Sequence, residues 1–492
     1  MKPIQPIKLI KKSIRPFHFI LFPLSFILAM TSCSSRYSLL SYHSSPYFQK
    51  IDKILDDSLV NKGETGIRVI SAKNGDVLYD KDSDKFFPPA SGMKVITTAG
   101  AVFFLKPEFR FRTLILSNVK VTNDTLRGNI LLKGQGDPTL RAETLCLFAR
   151  QLRLKGISTI LGDIVFDDSF FDTIPYGKGW MWDDLEYGFS APISALSVNG
   201  NTLRVFVAPG KNKGDSLKID IEPKTGFVTI KNQAVTGEKN NISVTSGLQR
   251  NRNIIAVNGS LTQEAKQQIF VRSVKNPSLF TASLFSEILK KNRITVLGKI
   301  RKIYAETYTD TLLVHLSEPL VKMLYDMDKH SSNFVAEMTL KTIGAEERGI
   351  PGTTEKGIEA IASFLKEKRI AQSTFSEVDG SGLSRYNLIS PEIFTSLLFY
   401  LYHSFEYAPE FLTVLPTSGI DGTLKNRMEE EDLQRRVRAK TGTMTGVSTL
   451  SGYCITHSGK ILIFSIMMKD YIASPTYVRK IQDKIVKTLI EF

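Results

Sequence analysis

The chain has 492 residues and a formal net charge of +15, a length that excludes a single small domain and asks for more than one. Its positive charge is spread rather than clustered and no nucleic-acid module is legible, so no nucleic-acid partner is expected; the surplus suits work beside an anionic polymer or a phospholipid surface. The six histidines include no pair at ligand spacing near a carboxylate cluster and none in the setting of a catalytic base, so neither a metal site nor a cofactor is expected.

At the N-terminus Lys2, Lys8, Lys11, Lys12 and Arg15 precede an apolar run over residues 17–30. That run is too short and too asymmetric for a spanning helix and carries the charge distribution of a signal peptide. Without those five charges the net charge falls from +15 to +10. The run ends in Met30-Thr31-Ser32-Cys33, which resembles a lipobox: residues 1–32 are expected to be removed as a lipoprotein signal and Cys33 to carry acyl chains holding the exported protein on a membrane. An ordinary secretory signal with an incidental cysteine is the alternative, and export follows from either. Residues 33–48, rich in Ser and Tyr, read as a tether. A helix is then expected over residues 48–61, followed by strands at 66–72 and 75–80 around a tight turn at Asn74-Gly75.

Phe87-Pro88-Pro89-Ala90 gives an extended entry to the next element, because a residue before proline is pushed out of the helical region. Ser91-Gly92-Met93-Lys94 then opens a mostly apolar buried helix reaching residue 105. One helical turn sets the Lys94 amine beside the Ser91 hydroxyl, a base beside a nucleophile, and a serine in a first turn keeps its backbone N–H free to face an oxyanion. Residues 106–275 change to short alternating strands broken by Gly, Asn and Asp, a β-rich insertion of two lobes. Helical periodicity returns at 277–285, so residues 49–105 and 276–492 are expected to form one split catalytic domain. Of the cysteines left after Cys33, Cys146 lies in an apolar helix-like stretch and Cys454 in an apolar strand, which favours two free buried thiols over a disulfide.

Within the second segment Ser331-Ser332-Asn333 opens an amphipathic helix and Lys440-Thr441-Gly442-Thr443 follows later. Ser331 suits a proton relay, Asn333 a substrate amide, and Lys440 with Thr441 and Thr443 a substrate carboxylate; the backbone N–H of Thr443 joins that of Ser91 as an oxyanion donor. Each pattern recurs elsewhere without this context. Ser117-Asn118-Val119-Lys120 and Ser363-Phe364-Leu365-Lys366 repeat the first, Ser197-Val198-Asn199 the second, and Lys224-Thr225-Gly226 the third. Ser117 has no helix to carry it, Ser197-Val198-Asn199 runs into a turn at Gly200, and Phe227 stands where a hydroxyl residue should follow Gly226.

In their order the three chosen motifs are those of penicillin-binding proteins and class A β-lactamases. Over nearly the whole mature length the chain resembles the S13-type D-alanyl-D-alanine carboxypeptidase/endopeptidases, the class C low-molecular-mass penicillin-binding proteins. Residues 134–140, 179–192, 379–385, 416–419, 421–424 and 446–453 fit as well, while Gly92 replaces a frequent Asn and Ser332 a frequent Asp. The resemblance implies an α/β penicillin-recognising domain, an antiparallel sheet flanked by helices, split by the insertion. It implies hydrolysis of peptidoglycan stem peptides through a Ser91 acyl-enzyme, with β-lactams as inhibitors, in the periplasm. A β-lactamase or esterase of the same superfamily and a non-catalytic wall-binding relative are the alternatives; an unrelated β-rich adhesin would explain the middle of the chain but not its ends. Finally, Trp180-Met181-Trp182-Asp183-Asp184 sets two aromatic faces beside two carboxylates, suited to gripping an aliphatic stem while pairing with its ammonium group; the resemblance places it near the cleft.

Overall fold

The computed structural model describes residues 46–303, 308–371 and 375–492; the signal, Cys33 and most of the tether lie outside them. A five-stranded antiparallel sheet is built from both ends of the chain. Its order is Val77–Lys81, Glu64–Ser71, Ile461–Lys469, Val447–Ile455 and Val437–Met444. Both faces are covered, so the central strand Ile461–Lys469 is apolar but for Ser465 and its terminal Lys469: Ile463 and Met467 enter one core while Leu462, Phe464, Ile466 and Met468 enter the other, the alternation a pleated strand imposes. Helices Pro46–Leu55 and Pro475–Glu491 close the second face. Helices Lys94–Phe104, Leu320–Lys329, Asn333–Arg348, Thr354–Glu367, Pro391–His403 and Ala408–Val414 pack on the first. This is the expected α/β architecture with helices on both faces.

The first helix stops at Leu55, short of the expected residue 61, because Asp57 turns the chain by accepting from the Leu59 amide at 3.0 Å. The insertion also runs further than expected. Helix Pro277–Lys291 buries Phe280, Leu284, Phe285 and Ile288 against Leu145, Phe148 and Leu152 of helix Ala142–Leu154, inside the insertion core. Strand Ile300–Lys302 lies parallel to Ile164–Asp167, and Asp310–Leu316 pairs antiparallel with Arg112–Ser117. The catalytic fold therefore resumes at helix Leu320–Lys329 and not at residue 276. Helical periodicity at 277–285 reveals an apolar face, but not the core that receives it. Within the insertion one five-stranded sheet joins residues 112–167 to 300–316, and two three-stranded sheets lie between residues 202 and 273; a single apolar cluster runs through both regions. A separate cluster of Phe170, Phe171, Ile193, Phe334 and Met338 joins the insertion to helix Asn333–Arg348. Cys146 and Cys454 are both free, Cys454 buried and Cys146 half-buried on its helix.

Candidate active site

Pro88 and Pro89 deliver the chain to Ala90, which is held in the left-handed region at φ 46°, an uncommon state for a residue with a Cβ. Ser91 follows in a 3₁₀ turn, Ala90–Met93, that runs directly into helix Lys94–Phe104. Three residues after the serine, the fully buried Lys94 places its Nζ 3.0 Å from Ser91 Oγ. The same amine donates to Asn333 Oδ1 at 2.7 Å and to the Ser381 carbonyl at 2.7 Å. Burial, then the charge of Lys440, lowers the Lys94 pKa to about 7, against the pull of Asp379, Asp328 and Glu337.

Ser331 also sits in the left-handed region, at φ 59°, and the Ser332 hydroxyl caps the next helix by accepting from the Val335 amide at 3.3 Å. This turn aims Ser331 Oγ at Lys440 Nζ, 3.1 Å away. Lys440 is likewise fully buried, and burial lowers its pKa to about 8 while Asp328 opposes the shift. Strand Val437–Met444 lies against the nucleophile turn: a methyl added to Gly442 would overlap Thr449 Oγ1 and the Pro89 carbonyl, and Thr449 Oγ1 itself donates to that carbonyl at 2.8 Å. It is the edge strand of the sheet, and the Ala439 amide leaves the edge to bond the Pro416 carbonyl at 3.0 Å. Amides of alternate residues point the same way, so those of Thr441 and Thr443 face the same open edge. Thr441 Oγ1 is tied to Thr423 Oγ1 at 2.8 Å.

Ser91, Lys94, Ser331, Asn333, Lys440, Thr441 and Thr443 thus converge, although they come from three separate stretches of the chain. Sequence reasoning missed the Ser381 carbonyl and the carboxyl groups behind it; the stretch from Asp379 to Arg385 was noticeable, but a backbone acceptor carries no residue signature. Ser117 ends a strand, Ser363 bonds the Glu359 carbonyl of its own helix at 2.7 Å, Ser197 bonds the Ser194 carbonyl at 2.7 Å, and Lys224 is exposed beside Asp220.

The two tryptophans part company. Trp180 donates its indole N–H to Asp379 Oδ2 at 3.0 Å, whereas Trp182 is 83% exposed. Asp183 and Asp184 occupy a 3₁₀ turn, Trp182–Asp184, where burial and then the Asp183 charge raise the Asp184 pKa. Asp183 and Trp182 line a cavity of about 1050 Å³ with Tyr176 and Lys275, and the three motifs do not contribute to its wall. This cavity is therefore not at the serine. The same segment touches the cleft elsewhere, through the Phe189 carbonyl, which accepts from Asn333 Nδ2 at 3.0 Å.

Penicillin binding protein 4 from Haemophilus influenzae superposes with a TM-score of 0.81 at 26% identity, covering 90% of this chain and 99% of that one. The same protein complexed with a β-lactam gives a TM-score of 0.77 at 25% identity and the same coverage. The D-alanyl-D-alanine carboxypeptidase of Actinomadura sp. strain R39 is 33% identical over 460 residues, 90% of this chain and 84% of that protein. A serine, two buried lysines and an edge strand held against the nucleophile turn are accompanied by a match of residues 47–491 to one family model, and the chain belongs to the D-Ala-D-Ala carboxypeptidase 3 (S13) family.

Proposed function

We propose that this protein is a serine-type D-Ala-D-Ala carboxypeptidase and D,D-endopeptidase that cuts peptidoglycan stem peptides through an acyl-enzyme on Ser91. The hydrogen bonding of Lys94 carries this reading. Two of its three neighbours, Asn333 Oδ1 and the Ser381 carbonyl, can only accept. A neutral amine spends its two protons on them, and its lone pair is left facing Ser91 Oγ. Lys94 then takes the serine proton as Oγ attacks the carbonyl carbon of the penultimate D-alanine. The amides of Ser91 and Thr443 receive the oxyanion, each donor being worth about 3–4 kcal/mol in comparable sites.

Ser331 accepts from Lys440, so its own proton is free to move to the leaving nitrogen, and the proton that Lys94 took balances the one so delivered. The C–N bond breaks, the amine departs, and water attacks the ester to release Ser91. With the Thr441 hydroxyl engaged by Thr423, Lys440 and the Thr443 hydroxyl are left to hold the free carboxylate, a group that β-lactams share. Asp183 and Asp184 are assigned to the amino group of the stem's third residue, and Cys33 to a lipid anchor on an exported, periplasmic protein.

Incubation of the mature protein with benzylpenicillin should give one stable adduct by intact-mass spectrometry, mapped to Ser91, and D-alanine release from defined muropeptides should disappear with it. An adduct at Ser117 or Ser363, or none on folded protein, would overturn the assignment.

A further inference from the structure

Behind Ser381 lie three buried carboxyl groups that the acylation chemistry does not use: Glu337, Glu377 and Asp379. Their bonding separates them. Asp379 closes its own loop, accepting from the Gly382 amide at 2.8 Å, the Ser384 amide at 2.7 Å and Asn387 Nδ2 at 2.7 Å. Both oxygens of Glu377 are buried with no hydrogen-bond partner among the described residues. Glu337 instead reaches across from helix Asn333–Arg348 and receives the Ser381 amide at 2.8 Å and the Gly380 amide at 3.3 Å. Ser381 is therefore held at its N–H by Glu337 and at its carbonyl by Lys94.

We propose that Glu337 is a positioning residue for the general base: by fixing the Gly380 and Ser381 amides it sets the carbonyl that takes one Lys94 proton, and so aims the lysine lone pair at Ser91. Asn333 and Glu337 stand four residues apart, on one face of one helix. A single element thus places both acceptors that do not react, Asn333 directly and Ser381 through Glu337. Thr97 Oγ1 pins the same loop from the nucleophile helix, donating to the Gly380 carbonyl at 2.6 Å. With the loop held from two helices, loss of the Glu337 clamp should leave it in place but free to rotate the Ser381 carbonyl. This inference rests on Lys94 as the base. The groups facing Glu337 are Lys94, Asp379 and Glu377; burial and then the Asp379 charge raise the Glu337 pKa to about 7, and its ionised form adds to Asp379 and Asp328 in holding the Lys94 proton.

The test compares Glu337→Gln with Glu377→Gln, resolving benzylpenicillin acylation into a noncovalent Kd and a first-order rate, with adduct stoichiometry by intact mass. Glu337→Gln should still give one adduct per chain at near-normal Kd, with the acylation rate reduced roughly ten- to a hundredfold, the usual effect of a slightly misplaced reacting group. Its acidic pH limb should move slightly to lower pH, because one of the three carboxyl groups that oppose the lowering of the Lys94 pKa is gone. Glu377→Gln, which removes no hydrogen bond, should acylate within about twofold of the unmodified protein.

The proposal fails if Glu337→Gln acylates normally with an unmoved limb. It also fails if the loss is wholly in the fraction of molecules labelled, the survivors reacting at the normal rate, because that is a folding effect. Should Glu337→Gln not fold, Glu337→Asp is read by the same measurements; it keeps the charge but shortens the reach, so its rate should fall while its limb stays. Absence of any Ser91 adduct on the unmodified protein would instead refute the acyl-enzyme reading itself.

Discussion

Lys94 and Lys440 are both fully buried, yet the chemistry asks opposite things of them. In the proposed reaction Lys94 must be neutral to take the serine proton, and Lys440 must stay charged to draw a carboxylate. With burial lowering the first pKa to about 7 and the second to about 8, acylation by a carboxylate-bearing substrate should rise with pH through about 7 and decline above about 8. A stopped-flow pH profile checks this, and a flat profile from pH 5 to 7 would contradict Lys94 as base. Lys94→Ala should abolish acylation, whereas Lys440→Ala should chiefly raise Kd for ligands carrying the carboxylate; equal losses on a substrate without it would refute the division of roles. The serine–lysine pair was legible because both residues sit in one turn of a helix, where spacing alone dictates contact. Ser381 and Glu337 were not, because their contact depends on a loop docking against a helix from elsewhere in the chain.

Among the elements, strand Val437–Met444 is the most exacting. Gly442→Ala should force the strand away from the nucleophile turn, costing about 1–3 kcal/mol of stability, the usual range for overpacking. Acylation should fall far more than stability, since Lys440 and the Thr443 amide ride on that strand; differential scanning calorimetry beside penicillin labelling separates the two effects. The turn at Trp182–Asp184 makes a softer demand. Asp183→Asn or Asp184→Asn should raise KM for stem peptides bearing a free amino group on the third residue and leave acylation by a simple penicillin nearly unchanged. A lower melting temperature without that selectivity would make the turn structural. The helix after Ser332 was readable from its amphipathic pattern. The divergence of Trp180 and Trp182 was not, because residues two apart in an irregular segment have no fixed relation of faces.

For the whole molecule, the position of the insertion was evident from a change in hydrophobic period, but its far boundary was placed some forty residues early, at 276 rather than at Leu320. After that point a helix belongs to the insertion through its core, and three strands through pairing with Thr159–Ile160, Ile164–Asp167 and Arg112–Ser117; long-range contacts of this kind leave no local mark. The proposed anchor also belongs to this scale. Cys33→Ala should abolish incorporation of radiolabelled palmitate and release the protein from membranes on fractionation; unchanged labelling would remove Cys33 as the anchor.

The central sheet sets a timetable for synthesis. Glu64–Ser71, made early, has Ile461–Lys469 as its partner, and every strand beyond that partner is also made late. A nascent chain ending before residue 437 already carries Ser91, Lys94, Ser331 and Asn333 but has no strand to lay beside the serine and no second lysine. The insertion, whose strands pair among themselves, can complete its core first, while the early hairpin waits with an open edge. A chain truncated before residue 437 should therefore be inert, although it retains Ser91, Lys94, Ser331 and Asn333.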